Sequence, residues 1–438
     1  MLLNAADKAL WRLALPMIFS NITVPLLGLV DTAVIGHLDS PVYLGGVAVG
    51  ATATSFLLML LLFLRMSTTG LTAQAWGAKD PQRLARALVQ PLALALGAGV
   101  LIILLRLPLI DLALHIVGGS EAVLEQARRF LEIRWLSAPA SLANLVLLGW
   151  LLGVQYARAP VILLVVGNLL NIVLDLWLVM GLRMNVQGAA LATVTAEYAT
   201  LIIGLLMAKR VLTLRGVSLA MLKNAWRGDL RRLLALNRDI MLRSLLLQLC
   251  FGALTVFGAR LGSDIVAVNA VLMTMLTFTA YALDGFAYAV EAHSGQAYGA
   301  RDGSQLLEVW RAACRQSGMV ALAFALIYSL AGQYIIALLT SLPSLQQLAD
   351  RYLIWQTILP VVGVWCYLLD GMFIGATRGA EMRNSMAVAA AGFAVTLLTL
   401  PVLGNHGLWL ALAVFLALRG LSLALIWRRH WRRGTWFS

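Results

Sequence analysis

The stretch Gln74-Ala75-Trp76-Gly77-Ala78-Lys79-Asp80 returns, 222 residues further on, as Gln296-Ala297-Tyr298-Gly299-Ala300-Arg301-Asp302. Five of the seven positions are identical and the other two are conservative. The register extends outward. His37-Leu38-Asp39-Ser40 is echoed by Arg260-Leu261-Gly262-Ser263, Gly153 by Gly375, and Pro139 nearly by Pro360. Self-similarity at one long period marks a duplicated unit. Within the heptad, Gly77 suits a tight turn. Asp80 with Pro81 suits the cap of a following helix, and the second copy keeps the Asp without the Pro. The heptad therefore reads as a shared turn and cap rather than as a ligand contact.

What is duplicated follows from composition. The chain has 438 residues, 61% hydrophobic and 12% charged, with mean hydropathy +0.86. Soluble globular domains carry about 25% charged residues. Apolar runs near 20 residues recur along the whole length, each enough for a helix to cross a hydrocarbon core of about 30 Å. The runs are continuous rather than alternating, which excludes a β-barrel. The fold class is an all-α polytopic membrane protein. The net charge of +13 is the basic surplus of cytoplasmic loops, not a nucleic-acid surface. Cys250, Cys314 and Cys366 form no CxxC and no even set, so neither disulfides nor a zinc site is implied. No HExxH, GxSxG or P-loop occurs, so the chain reads as a transporter rather than an enzyme or an ATP-driven pump.

Twelve spans are expected at about 11–37, 43–75, 84–112, 122–152, 160–182, 188–210, 232–260, 265–298, 306–338, 347–376, 384–402 and 406–428. They form two six-helix parallel pseudo-repeats, an N-lobe over 1–210 and a C-lobe over 232–438. An amphipathic cytoplasmic linker over 211–231 joins them. Lys and Arg gather in one alternate set of ends and loops, which places both termini in the cytoplasm. The first apolar run is too long for a signal peptide core and reads as a retained helix. Pro16, Pro25, Pro139 and Pro360 are expected kinks. Two parallel lobes are a transporter plan, with sites near the lobe interface and rocking about them.

Candidate site residues emerge from comparing the repeats. Asp31 sits in the apolar run Leu13–Ile35, where a charge costs about 2.5–3.5 kcal/mol by insertion scales. Its counterpart is Leu254 or Ala253. In the fifth span, Asn168, Asn171 and Asp175 fall on one helical stripe. Asn171 and Asp175 correspond to Phe393 and Leu397, and Thr193 of the sixth span corresponds to Leu412. The fold does not need polar groups at these places. Glu197 lies one turn from Thr193, and Asn144 lies in the fourth span. Oxygen-rich side chains from different helices suit proton exchange or a hard cation. A buried hydrogen-bond network holding the lobe together is the bland alternative.

The pieces Asp31-Thr32-Ala33-Val34-Ile35-Gly36-His37-Leu38, Gly77-Ala78-Lys79-Asp80 and its second copy resemble the multidrug and toxic compound extrusion (MATE) family. Leu283-Asp284-Gly285-Phe286-Ala287-Tyr288 and Leu369-Asp370-Gly371-Met372-Phe373-Ile374-Gly375-Ala376 are similar to its DinF-type branch. The resemblance covers essentially the whole chain. It implies a secondary active efflux antiporter with no cofactor, driven by H+ or by Na+. Asp31 would be the protonation site, with Asn171, Asp175 and Thr193 around it and Asn144, Asn168 and Glu197 in support. The partners implied are the bilayer and small organic cations or amphipathic drugs, met by a monomer.

Asp284, Glu291 and Asp370 are buried acids of the second half alone. They serve either a cationic substrate, a second coupling site, or pairing with Arg243 or Arg378. Tyr281, Phe286, Tyr288, Trp365 and Tyr367 are aromatic candidates for a cavity that takes flat cations. A lipid-linked oligosaccharide flippase shares the expected architecture but would need a strongly cationic cavity, whereas this cluster is acidic and amidic.

Overall fold

The computed structural model describes residues 3–36, 38, 40–225, 227–228 and 230–438, with the backbone alone for 24–33. The protein is helical throughout, with no strand among the described residues. The first helix, α1, spans Ala5–Gly36. Eleven further helices are each long and apolar enough to cross a membrane. They are α2 (Pro41–Gly77), α3 (Pro81–Leu104), α4 (Glu121–Gly153), α5 (Arg158–Gly181), α6 (Asn185–Leu214), α7 (Leu230–Leu261), α8 (Ser263–Ala300), α9 (Gly303–Leu339), α10 (Pro343–Gly375), α11 (Gly379–Leu403) and α12 (Asn405–Arg433). With α1 they make the expected twelve, in two pseudo-repeats of six. The chain forms two compact units, one of Ile22–Leu233 and one of Met1–Asn21 with Leu234–Ser438.

The duplication is visible atom by atom. Lys79 and Arg301 both take φ of 53°, and the Asp80 and Asp302 carboxylates cap α3 and α9 by accepting from Arg83 N and Gln305 N. The left-handed residue of the turn is thus the basic one, not Gly77, which ends α2. The fourth helix of each repeat is its buried centre. In α4 and α10, 78% and 72% of the most apolar 18 residues are inside, against at most 50% for any other described span. Each centre approaches the second helix through two glycines. A Cβ on Gly149 would stand 2.5 Å from the Arg65 carbonyl, and one on Gly371 2.7 Å from the Ala287 carbonyl. Gly153 meets Thr72 in the same way, and Gly375 meets Ser294. All four correspondences keep the spacing of 222, the small-xxx-small packing of membrane helices.

Several expectations change. The third span was expected to run over 84–112 as one helix. Instead α3 stops at Leu104 and a separate helix covers Arg106–Val117. Pro108 lacks the N–H that would bond Leu104 O, and its ring would strike that carbonyl. Of the expected kinks, α1 and α10 run unbroken past their prolines. Only Pro139 follows an interruption, a 3₁₀ turn over Trp135–Ser137. The linker is more than a surface tether. After Gly216, at φ 80°, Val217 and Ala225 are buried in the core of the Ile22–Leu233 unit. A short helix over Leu219–Asn224 lies between them.

The other unit closes the same way. After Gly434, at φ 67°, Trp436 folds back and is 1% exposed. It packs edge-on against Phe373, and the Arg378 guanidinium lies over its ring. Arg378 also donates to the carbonyls of Thr435 and Trp436 and pairs with Glu381.

Candidate functional site

In the Ile22–Leu233 unit, α5 and α6 bring a polar stripe together. Asn171 and Asp175 are 2% and 1% exposed, one turn apart on α5. Asn171 Nδ2 donates to Thr193 Oγ1 at 3.5 Å. The Thr193 hydroxyl itself donates to Ala189 O at 3.2 Å, so its lone pairs are free to accept. Asn171 Oδ1 is buried with no hydrogen-bond partner among the described residues. An acceptor held out of water without a donor is costly unless something fills the place.

Asp175 ends the regular part of α5. The next residues, Leu176–Gly181, form a π-helical turn closed by Leu182 N donating to Trp177 O. Such turns insert one residue into a helix and are frequent at functional sites. Sequence periodicity gives no sign of it. Asn168, a turn before Asn171, is half-buried. The side chain of Asp31, on α1, lies outside the described residues.

Glu197 and Asn144 belong to an adjoining network between α6 and α4. Ser141 Oγ donates to Glu197 Oε2 at 2.8 Å, and Asn144 Nδ2 donates to the Glu197 carbonyl at 3.1 Å. Arg134 Nη2 lies 3.6 Å from Glu197 Oε1. Asn144 Oδ1, like Asn171 Oδ1, is buried without a partner among the described residues. Arg134 lies inside α4, where the 3₁₀ turn before Pro139 lets it bond Ser137. A lone Arg between a polar helix start and an apolar run gives no sequence sign of this partner.

The second-half acids are differently placed. Arg243 Nη2 donates to Asp370 Oδ2 at 2.6 Å, and Arg419 Nη2 donates to the same oxygen. All three side chains are at most 10% exposed. The pairing with Arg243 is one of the alternatives the sequence left open, and Arg419 is an addition to it. An incoming cation would meet two guanidiniums at Asp370. Arg378 is spent instead on Glu381 and the segment after α12. Glu291 is buried on α8, and Asp284 is half-buried about two turns before it. Of the aromatic candidates, Phe286 is fully buried, edge-on to Trp11, and belongs to the core rather than to a cavity wall.

Chemically, the first-repeat cluster offers amide, hydroxyl and carboxylate oxygens, with Asn171 Oδ1 and Asn144 Oδ1 lacking donors among the described residues. That set can hold a proton, a water or a hard cation.

Comparison with known proteins adds the following. The MatE family profile matches residues 16–177 and 240–403, once in each repeat. The chain is 87% identical over 436 residues to DNA damage-inducible protein F of Escherichia coli (strain K12), covering 100% of this chain and 95% of that protein. It is 23% identical over 431 residues to the probable multidrug resistance protein NorM of Acinetobacter baylyi, covering 96% of this chain and 94% of that one. A solved structure described as an outward-facing conformation of a multidrug resistance MATE family transporter of the MOP superfamily shares the fold. Its TM-score is 0.86 at 23% identity, over 98% of this chain and 96% of that one.

Proposed function

The chain belongs to the MatE family, and on that premise we propose that it is a proton-driven exporter of organic compounds, often cationic and amphipathic. Protons and drug exchange by alternating access, with Asp31 as the protonation switch. Asn171, Asp175 and Thr193 form the rest of the coupling site, and Asn144, Asn168 and Glu197 support it. Multidrug transport is named for its relatives, among them NorM and the multidrug export protein MepA of Staphylococcus aureus.

The observation that carries the reading is the buried stripe of Asn171 and Asp175 on α5, with Asn171 Nδ2 bonded to Thr193 Oγ1 of α6. Its counterparts in the second repeat are apolar. Phe393 and Leu412 are 3% and 1% exposed inside a hydrophobic cluster, so the stripe is not a requirement of the fold. Asp31 and Asp175 supply the carboxylates that can take up a proton there. A proton arriving down its gradient neutralises the site, and the altered hydrogen bonding favours release of drug outward. The chain works in a bacterial inner membrane with both termini cytoplasmic, as a monomer.

Na+ coupling is the second reading, because the same oxygens of Asp31, Asn171, Asp175 and Thr193 are hard ligands. A lipid-linked oligosaccharide flippase is the third, disfavoured by an acidic and amidic site. The test is efflux from proteoliposomes under imposed pH or sodium gradients, with wild type and Asp31→Asn. Efflux that follows only the pH gradient and is lost in Asp31→Asn supports the proposal. Efflux that follows only sodium, or a variant as active as wild type, overturns it. Lipid scrambling without drug efflux turns the reading to the flippase.

A further inference from the structure

α12 is 29 residues long and so rises about 43 Å, whereas the hydrocarbon core is about 30 Å thick. Roughly its last two turns must stand in the headgroup layer. Those turns read Trp427-Arg428-Arg429-His430-Trp431-Arg432-Arg433. Arg428, Arg429, Arg432 and Arg433 are all exposed, and none has a hydrogen-bond or ion-pair partner among the described residues. At i, i+1, i+4 and i+5 they share one side of the helix.

The two tryptophans form the flank of this side. Trp427 and Trp431 lie tilted against each other with centroids 5.7 Å apart, Trp310 of α9 adds to Trp427 at 5.6 Å, and Phe437 adds to Trp431 at 6.3 Å. The neighbouring charges do not cancel the surplus. Glu381 is committed to Arg378 and His430, and α9 brings Glu308 and Arg311, one of each sign, beside Trp310.

We infer that the end of α12, with Trp310, is a docking surface for anionic phospholipid headgroups. Four unpaired guanidiniums match lipid phosphates in charge and in hydrogen-bond geometry. The clustered indoles sit at the end of the span, where tryptophan prefers the interface. The clasp of Thr435 and Trp436 onto Arg378 ties the surface to the ends of α10 and α11. The inference needs only that the chain spans a bilayer and not the coupling ion proposed above.

Native mass spectrometry of the full chain in micelles with phosphatidylglycerol or phosphatidylcholine reads it directly. Wild type retains phosphatidylglycerol in preference to phosphatidylcholine. The quadruple variant R428Q/R429Q/R432Q/R433Q loses that retention at least fivefold. A variant of equal charge loss elsewhere, K209Q/R210Q/K223Q/R227Q, keeps it. Should the quadruple variant not fold, the double variant R428Q/R432Q loses it at least twofold. Retention unchanged in the α12 variants, equal loss in the control, or no phosphatidylglycerol preference in wild type overturns the inference. So does inorganic phosphate binding as tightly as the lipid, which would make the surface a site for soluble anions.

Discussion

Asn171 and Thr193 meet between α5 and α6 with Nδ2 3.5 Å from Oγ1, and the arrangement leaves Asn171 Oδ1 buried without a donor among the described residues. An amide kept in this state contributes little to stability. Asn171→Leu should therefore alter unfolding in detergent by about 1 kcal/mol or less, yet lower gradient-driven efflux at least tenfold. Wild-type efflux in vesicles carrying Asn171→Leu would remove the residue from the coupling site.

Asp370 predicts the opposite balance. Asp370→Asn removes the carboxylate that Arg243 and Arg419 share and leaves two buried guanidiniums side by side. Breaking a buried ion pair from one side costs about 3–5 kcal/mol, so the thermal midpoint should drop sharply. Replacing all three with apolar residues of similar volume should recover most of the loss. A stable Asp370→Asn protein defective only for cationic drugs would instead make Asp370 a substrate acid.

Gly153 and Gly375 should respond alike to substitution. A Cβ at Gly375 would lie 2.4 Å from Ser294 Oγ and 2.8 Å from Gly295 N, and one at Gly153 would lie 2.7 Å from Thr72 Cβ. Overpacking of this kind costs about 1–3 kcal/mol. Gly153→Ala and Gly375→Ala are both expected in that range by thermal unfolding, whereas Gly252→Ala, facing open space, should be neutral.

Asp7 precedes the apolar run of α1 and sets a pH limit. Its backbone N–H donates to Asn4 Oδ1, and Asn4 N donates to Asp7 Oδ2, a reciprocal cap. Burial pushes the carboxyl up. The hydrogen bond and charge of Arg315 and the Asn4 N–H outweigh it and hold the carboxyl below its usual range. A carboxyl lowered in the folded state contributes stability above its unfolded value near 3.8. That contribution disappears as pH falls through the lowered folded value. Asp7→Asn should flatten this acid limb and lower the unfolding midpoint at neutral pH, where the pairing with Arg315 is fully in force.

Trp436 and Arg378 should control proteolysis of the segment after α12. Arg378→Ala strands the carbonyls of Thr435 and Trp436, and Trp436→Ala empties the place against Phe373. Either change should raise protease cleavage at residues 434–438 about tenfold while leaving the helices intact. That figure corresponds to roughly 1.4 kcal/mol of local opening. Cleavage at the wild-type rate would show that the clasp does not hold the segment.

The sequence by itself determined what depends on local pattern. The length of each apolar run set the spans, and the repeated heptad at Gln74 and Gln296 set the duplication. The comparison of Asn171, Asp175 and Thr193 with Phe393, Leu397 and Leu412 located the asymmetric stripe. These properties are legible because helix periodicity and hydrophobicity act within a few turns. Even the break after Leu104 had a local cause in Pro108.

Tertiary structure alone decided which charges meet. Arg243 and Arg419 reach Asp370 from 127 and 49 residues away, and Arg134 reaches Glu197 from a different helix. A charge in low dielectric must find a partner, but the pattern of one helix says only that it needs one. Which partner it finds follows from how close the glycine faces of α4 and α10 let their neighbours approach.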